Sequence, residues 1–219
     1  LKKTVLYITA HPLDPQSSYS LAVGKEFIDT YREANPEDEI VHLDLFNMDV
    51  PVVDADVLRG RHKLFEWRQS GSTTPFHEML SEGERVKMEQ IDKLCDQFIA
   101  ADKYVIASPM WNLTIPHVLL NYTNCLVVPG KTYRYTNMGP VGLLNGKKSL
   151  HIQACGGVYT EGPTASIESG HAYIRTIMQF MGVTDNEKLF VEGMAQTPEK
   201  ANIIKEEAIV KAKALAKQF

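Results

Sequence analysis

The sequence predicts an α/β fold: a doubly wound five-stranded parallel sheet of strand order 2-1-3-4-5, with helices on both faces. Three observations predict it. Short β-rich runs alternate with helix-patterned runs along all 219 residues, the pattern that joins parallel strands through crossover helices. The first β run, residues 4–10, is apolar with little alternation, as suits a central strand covered on both faces. The loops after the first, third and fourth strands are rich in hydroxyls, aromatics and glycines, and this topology puts all three on one edge of the sheet.

The first strand ends at His11-Pro12-Leu13-Asp14-Pro15, which cannot be helical throughout. A helix over residues 18–34 follows, with Leu21, Phe27, Ile28 and Tyr31 on its apolar side and Ser17, Ser18 and Ser20 at its start. Two readings of those hydroxyls stay open, a plain N-cap and an anion site on the first-turn N–H groups. No Lys or Arg lies between His11 and Ser20, so a phosphate there would rest on neutral donors with help from His11. A second strand covers residues 39–45. The stretch 54–83 is read as an irregular excursion, helical in part over 57–68, and as either a surface loop or a flap over a ligand.

The helix at 82–101 carries Val86, Ile91, Leu94, Cys95, Phe98 and Ile99 on one side and leads into the third strand, 103–108. Ser108-Pro109 stops that strand and exposes Met110, Trp111 and Asn112 in the loop before a helix at 115–125. An aromatic between a thioether and an amide suits a flat ligand with a polar edge; it also suits a hydrophobic plug over the sheet end. Residues 132–140 read as irregular and hold two tyrosines around Arg134. The fourth strand, 149–154, exits into Cys155-Gly156-Gly157-Val158-Tyr159, where paired glycines serve equally a tight turn or a close ligand edge. A helix over 166–181 ending at Gly182, a fifth strand at 188–192 and a closing helix at 198–219 complete the chain, read as a single domain.

Composition narrows the function classes. A net charge of −4 with 23% charged residues gives no basic stripe, so nucleic acid is not expected as a partner. No apolar run reaches the roughly 18 residues needed to span a bilayer, so no membrane association is expected. Cys95, Cys125 and Cys155 show no CxxC spacing, which argues against a metal or redox pair. With no signal peptide read at the start, where Leu1 implies a lost initiator Met, unpaired thiols favour a cytoplasmic setting. Gly130-Lys131-Thr132 is not a P-loop, since Cys125 stands where its first glycine belongs. GxGxxG, HxxxH and GxSxG are missing, and His11, His151 and His171 are not read as metal ligands.

A phosphate pocket, an aromatic-amide loop and a glycine pair on one edge describe an elongated ligand, phosphate at one end and a flat heterocycle at the other. FMN has that shape. Here the chain resembles the FMN-dependent NADH azoreductases, also described as NADH:quinone oxidoreductases, a family of flavodoxin-like fold. The resemblance spans nearly the whole chain. It is carried by Ser18-Tyr19-Ser20, Pro109-Met110-Trp111-Asn112, Tyr133-Arg134-Tyr135-Thr136 with Gly139-Pro140 and Gly142-Leu143, and Gly156-Gly157 with Glu161-Gly162-Pro163-Thr164.

The resemblance implies that His11, Ser18, Tyr19 and Ser20 hold the FMN phosphate and ribityl chain. Pro109, Met110, Trp111, Asn112 and Leu113 would line the ring, and Gly156 and Gly157, flanked by Ala154, Cys155 and Tyr159, would meet its pyrimidine edge. It implies two-electron ping-pong hydride transfer from NADH to azo compounds or quinones, with no side chain as obligatory acid or base and no metal. NADH against NADPH is open, with Arg59, Arg61 and Arg134 as candidates for a 2′-phosphate contact. A homodimer is implied, with Tyr135 and Phe180 in the substrate slot ahead of Phe65 and Trp67. The chain departs from many relatives at Cys155, where they carry arginine, and at Tyr159, where others carry histidine. The alternative reading is a flavodoxin-type electron carrier without NADH activity of its own; a flavin-free binding module is a further one.

Overall fold

The computed structural model describes residues 2–219. One sheet holds β1 (Thr4–Thr9), β2 (Glu39–Asp44), β3 (Lys103–Pro109), β6 (Lys148–Cys155) and β7 (Asp185–Glu192), all parallel, in the order β2-β1-β3-β6-β7. Counting only these strands, that is the 2-1-3-4-5 order the sequence predicts. The intervening β4 (Tyr133–Thr136) and β5 (Gly139–Gly142) form a separate antiparallel hairpin inside the stretch read as irregular.

Among the described residues six α-helices flank the sheet: α1 (Tyr19–Ala34), α2 (Ala55–Ser70), α3 (Glu82–Ala100), α4 (His117–Leu126), α5 (Gly170–Phe180) and α6 (Ala201–Ala216). On one face α1 and α6 pack Phe27, Tyr31, Ala208 and Ala212 against Val5, Val105, Leu150 and Ile152. On the other, α3, α4 and α5 bring Ile91, Phe98, Leu119, Tyr122 and Met178 onto Leu6, Ile8, Tyr104 and Ile106. Each apolar side chain that is fully covered this way contributes roughly 1.5–3 kcal/mol. Two-sided coverage explains why β1 and β3 read as unbroken apolar runs. At Gly24 of α1 an added Cβ would stand 2.7 Å from the Tyr7 hydroxyl, so glycine lets the helix settle onto β1.

The excursion is more ordered than the sequence suggested. Asp54 caps α2 by accepting from the N–H groups of Asp56 and Val57, and Gly71 ends it at φ 64°. Ser81 and Glu84 form a capping box that starts α3. Lys63 reaches Glu84 at 2.7 Å, and Lys87 reaches Asp54 and Asp56, tying α2 to α3. The Trp67 indole N–H donates to the Thr74 carbonyl at 2.8 Å, and its ring meets Phe76. Phe65 and Arg68 lie beside Val128, Pro129 and Lys131 beyond the end of α4. The stretch read as a surface loop or a flap thus packs on itself, on α3 and beside the chain after α4.

Candidate functional site

Parallel strands send every exit loop to one edge, and the structure brings those after β1, β3 and β6 into contact there. The Ala10 N–H donates to the Ala107 carbonyl at 3.0 Å, and the Met110 N–H donates to Ala154 at 2.8 Å. The His11 ring stands 5.7 Å from Trp111, while Nδ1 of His11 accepts from the Leu13 N–H. Burial lowers the His11 imidazole below its usual range, so it is uncharged at neutral pH. Phe46, just past β2, packs edge-on against both Trp111 and His117. Nothing in the sequence around Phe46 marks it beyond an aromatic at a strand exit.

At the start of α1, Ser18 is the N-cap and accepts from the Leu21 N–H, and its hydroxyl lies 3.2 Å from that of Ser20. Both side chains are buried. Among the described residues the N–H groups of Ser18, Tyr19 and Ser20 have no acceptor in the chain, as expected of a helix's first turn.

The loop after β3 is held in a strained form. Trp111 and Thr114 exchange backbone hydrogen bonds of 2.9 and 3.1 Å across a two-residue tip, which puts Asn112 at φ 49° and Leu113 at φ 70°. Left-handed backbone at a non-glycine costs on the order of 1 kcal/mol and persists where the surroundings enforce it. Here the enforcement comes from the start of α5, whose Ser169 N–H donates to the Leu113 carbonyl at 3.1 Å. The strain leaves the Asn112 and Leu113 N–H groups without acceptors among the described residues, and Trp111 and Leu113 stand partly exposed beside them.

The glycine pair after β6 is explained first by its neighbours. A Cβ on Gly156 would come 3.1 Å from Ala195, and one on Gly157 would come 3.1 Å from the Tyr159 ring. Their carbonyls accept from Ala195 and Gly193, while among the described residues their N–H groups have no acceptor in the chain. Glu192 steadies this loop by accepting from the Tyr159 N–H at 2.7 Å. The turn is tightly packed at both glycines, and it leaves two donors unused.

Behind the rim lies a largely buried polar layer that includes His151 and His171 and, unmarked in the sequence, Gln153 and Glu168. Gln153 donates to Glu168 at 2.9 Å and lies 3.5 Å from the Cys155 sulfur, and its Oε1 finds no donor. Glu168 in turn accepts from the His171 and Ala172 N–H groups and so caps α5. Ser108 bonds His151 at 3.0 Å, and His151 lies 3.3 Å from His171. Burial lowers both imidazoles, His151 to about 3 and His171 to about 4, so they sit neutral at physiological pH. Burial also pushes the Cys155 thiol up to about 12. Cys95, Cys125 and Cys155 are all buried and free, and no cluster of metal-ligating side chains exists among the described residues.

Tyr135 and Phe180 come together around Tyr133, with Tyr133–Tyr135 ring centres 5.4 Å apart and Tyr133–Phe180 centres 4.7 Å apart. They do so at the far end of α5, beside Leu144, whose N–H donates to Met181. That end is about 16 Å along the helix from Ser169. Within one chain, then, neither residue lines the rim.

A larger cavity of about 730 Å³ lies between α1 and the outer strand β2. Its polar lining is mostly spoken for: Thr9 is bonded to His42, and Lys25 and Arg32 are bonded to Asp29.

A sequence model of the flavodoxin-like fold matches residues 3–215. The chain belongs to the flavodoxin-like family. Within that family it is 53% identical over 215 residues, covering 98% of this chain and 99% of the relative, to an FMN-dependent NADH:quinone oxidoreductase of Geobacillus kaustophilus (strain HTA426). A crystal structure of an azoreductase from Bacillus anthracis str. Sterne superposes with a TM-score of 0.90 at 37% identity, covering 99% of this chain and all of the other. A second, an FMN-dependent NADH-azoreductase from Bacillus anthracis str. Ames Ancestor in complex with FMN, gives a TM-score of 0.86 at 29% identity over 98% of each chain. The flavodoxin-like sheet thus places free backbone donors at three loops of a single edge.

Proposed function

We propose that this protein is an FMN-dependent NADH oxidoreductase that reduces quinones and azo compounds. One observation carries the reading: three loops that meet on one rim each present unpaired backbone N–H groups, at Ser18–Ser20, at Asn112–Leu113 and at Gly156–Gly157. Donors of this kind fit FMN along its length, with phosphate at the helix start and the acceptor edges of the ring at the other two loops. Relatives named for this activity support it.

Bound there, FMN would supply the two-electron redox chemistry between NADH and a quinone or azo compound. The chain's own work is positioning. The first turn of α1 and the Ser18 and Ser20 hydroxyls hold the phosphate. Met110, Trp111 and Leu113 give the ring apolar contact and exclude water, while the strained Asn112–Leu113 backbone aims two N–H groups at its polar edge. Gly156 and Gly157 donate at the pyrimidine side, where negative charge would be stabilised by fixed dipoles. Cys155 stays a neutral thiol and brings no cation to that place. His151 and His171 are too buried to exchange protons with a substrate, and solvent supplies the protons in this reading.

A homodimer completes the slot in this reading. The β4–β5 hairpin carries Tyr135 at 73% and Met138 at 98% exposure, apolar surface that a second copy would cover. Tyr135 and Phe180, remote from the rim of their own chain, would then face that of the other. No helix among the described residues is long and apolar enough to cross a membrane, and a cytoplasmic setting is proposed.

The test is optical. Purified protein reconstituted with FMN should show the bound flavin's absorption, lose it on anaerobic mixing with NADH, and regain it on addition of a quinone or azo dye. A protein that takes up FMN but is not bleached by NADH would be an electron carrier. One that ignores FMN would overturn both flavin readings.

A further inference from the structure

The phosphate end of this site has no positive charge from its own loop. No Lys or Arg lies between His11 and Ser20, and His11 is uncharged at neutral pH and turned to Trp111. The structure brings a cation from the other end of the chain. A cavity of about 190 Å³ opens at the start of α1, lined on one side by Ser17, Ser18 and Tyr19 and on the other by Asn202 and Lys205 of α6.

Two features in and just behind the wall of this cavity suit an anion. Ser18 and Ser20, 4% and 0% exposed, share a single hydroxyl–hydroxyl contact, and Ser18 already accepts from the Leu21 N–H. Both hydroxyl oxygens have a partner, and since each hydroxyl can donate one hydrogen, one of the two hydrogens is free to turn to an incoming acceptor. Lys205 is half-buried and, among the described residues, has no carboxylate within ion-pair distance. Its neighbours do: Lys213 on the same helix pairs with Glu26 at 2.7 Å, and Lys25 on α1 pairs with Asp29.

We propose that Lys205 is a cofactor-binding residue, the counter-charge for a phosphate monoester dianion seated between the first turns of α1 and α6, with Asn202 as a second donor. This rests on the FMN reading and deepens it. A buried hydroxyl hydrogen, three first-turn N–H groups and one ammonium make a set that distinguishes FMN from riboflavin, which shares the ring and lacks the phosphate.

The experiment titrates apoprotein with FMN and with riboflavin by flavin fluorescence quenching, for wild type, Lys205→Gln, Lys205→Arg and Lys213→Gln. Lys205→Gln should weaken FMN binding about 10-fold, leave riboflavin binding within twofold, and flatten the salt dependence of FMN affinity. Lys205→Arg should recover most of the loss. Lys213→Gln, with the same change of net charge, should bind FMN within twofold of wild type. Unchanged FMN affinity in Lys205→Gln, an equal loss of riboflavin, or an equal loss in Lys213→Gln would overturn the proposal. Failure of the FMN reading itself would appear in wild type, as no FMN binding at all.

Discussion

The rim of the sheet and the α2–α3 excursion use polar groups in opposite ways. In the excursion the polar groups at the helix starts and between the helices are answered: Asp54 caps α2, the Ser81–Glu84 box starts α3, and Lys63 and Lys87 close the ion pairs between them. At the rim, backbone donors at three loops are left open, and two residues hold left-handed backbone to keep one pair open. The contrast teaches where to look for a site in a fold of this kind. Satisfied groups hold the architecture, and unsatisfied ones, kept so by neighbouring structure, face the ligand.

If that division is right, damage to the rim should cost binding and damage to the excursion should cost stability. The largest effect is expected for Ser20→Asp, which sets a carboxylate at a position with 0% exposure beside the phosphate seat. It should lower FMN affinity by about 100-fold or more through like-charge repulsion, read as flavin-to-protein ratio after gel filtration. Retention of FMN by this variant would break the comparison.

Next is Lys63→Met in the excursion. It removes the first partner of Glu84, whose carboxyl is held down at about 2 from an ordinary 4.5, chiefly by Lys63 and then by the Ser81 N–H. A lowered carboxyl stabilises the fold above its unfolded value, and that contribution is lost as pH falls from about 4.5 toward 2. The variant should melt several degrees lower at neutral pH, with a weaker acid dependence in that window, and should bind FMN as wild type does. A changed FMN affinity would show that the two regions are coupled after all.

The layer behind the rim should announce itself at a higher pH. His151 and His171 stay neutral down to about 3 and 4, whereas an unfolded chain protonates them near 6.5. Below 6.5 the unfolded state binds the extra protons, so stability falls with acid through that window, by at most about 1.4 kcal/mol per pH unit for each imidazole. Urea unfolding at pH 7, 6 and 5 measures this, and His171→Phe should reduce the slope. The smallest effect is expected for Leu113→Gly, which relieves the left-handed strain and should raise stability by about 1 kcal/mol or less while loosening the ring contact. A loss of stability there would mean that Leu113 packing outweighs its backbone strain.

Most of the sheet was legible because burial on two faces forces an apolar run, and such a run survives any detail of its loops. The hairpin was not legible: β4 and β5 are four residues each and mostly exposed, so no alternation is enforced on them. The ends of α2 did carry signals, Asp54 before it and Gly71 after it, which the weakly apolar sequence between them obscured. At the site, Ser18, Trp111 and the glycine pair stood out by residue type and position. Phe46, Gln153, Glu168 and Lys205 did not, because each matters only through a neighbour that is distant in sequence.

By itself the sequence determined which segments form the five-stranded sheet, their order in it, and therefore the edge at which three unusual loops emerge. Those follow from hydrophobic periodicity and from proline and glycine geometry, which are local. Tertiary structure alone decided which donors stay unpaired, that the left-handed Asn112–Leu113 backbone is held by the start of α5, that Tyr135 and Phe180 lie at the opposite end, and that an ammonium from α6 stands by the first turn of α1. Hydrogen bonds, charge pairing and strain depend on what the packed fold brings within a few ångströms, and sequence spacing does not encode that distance.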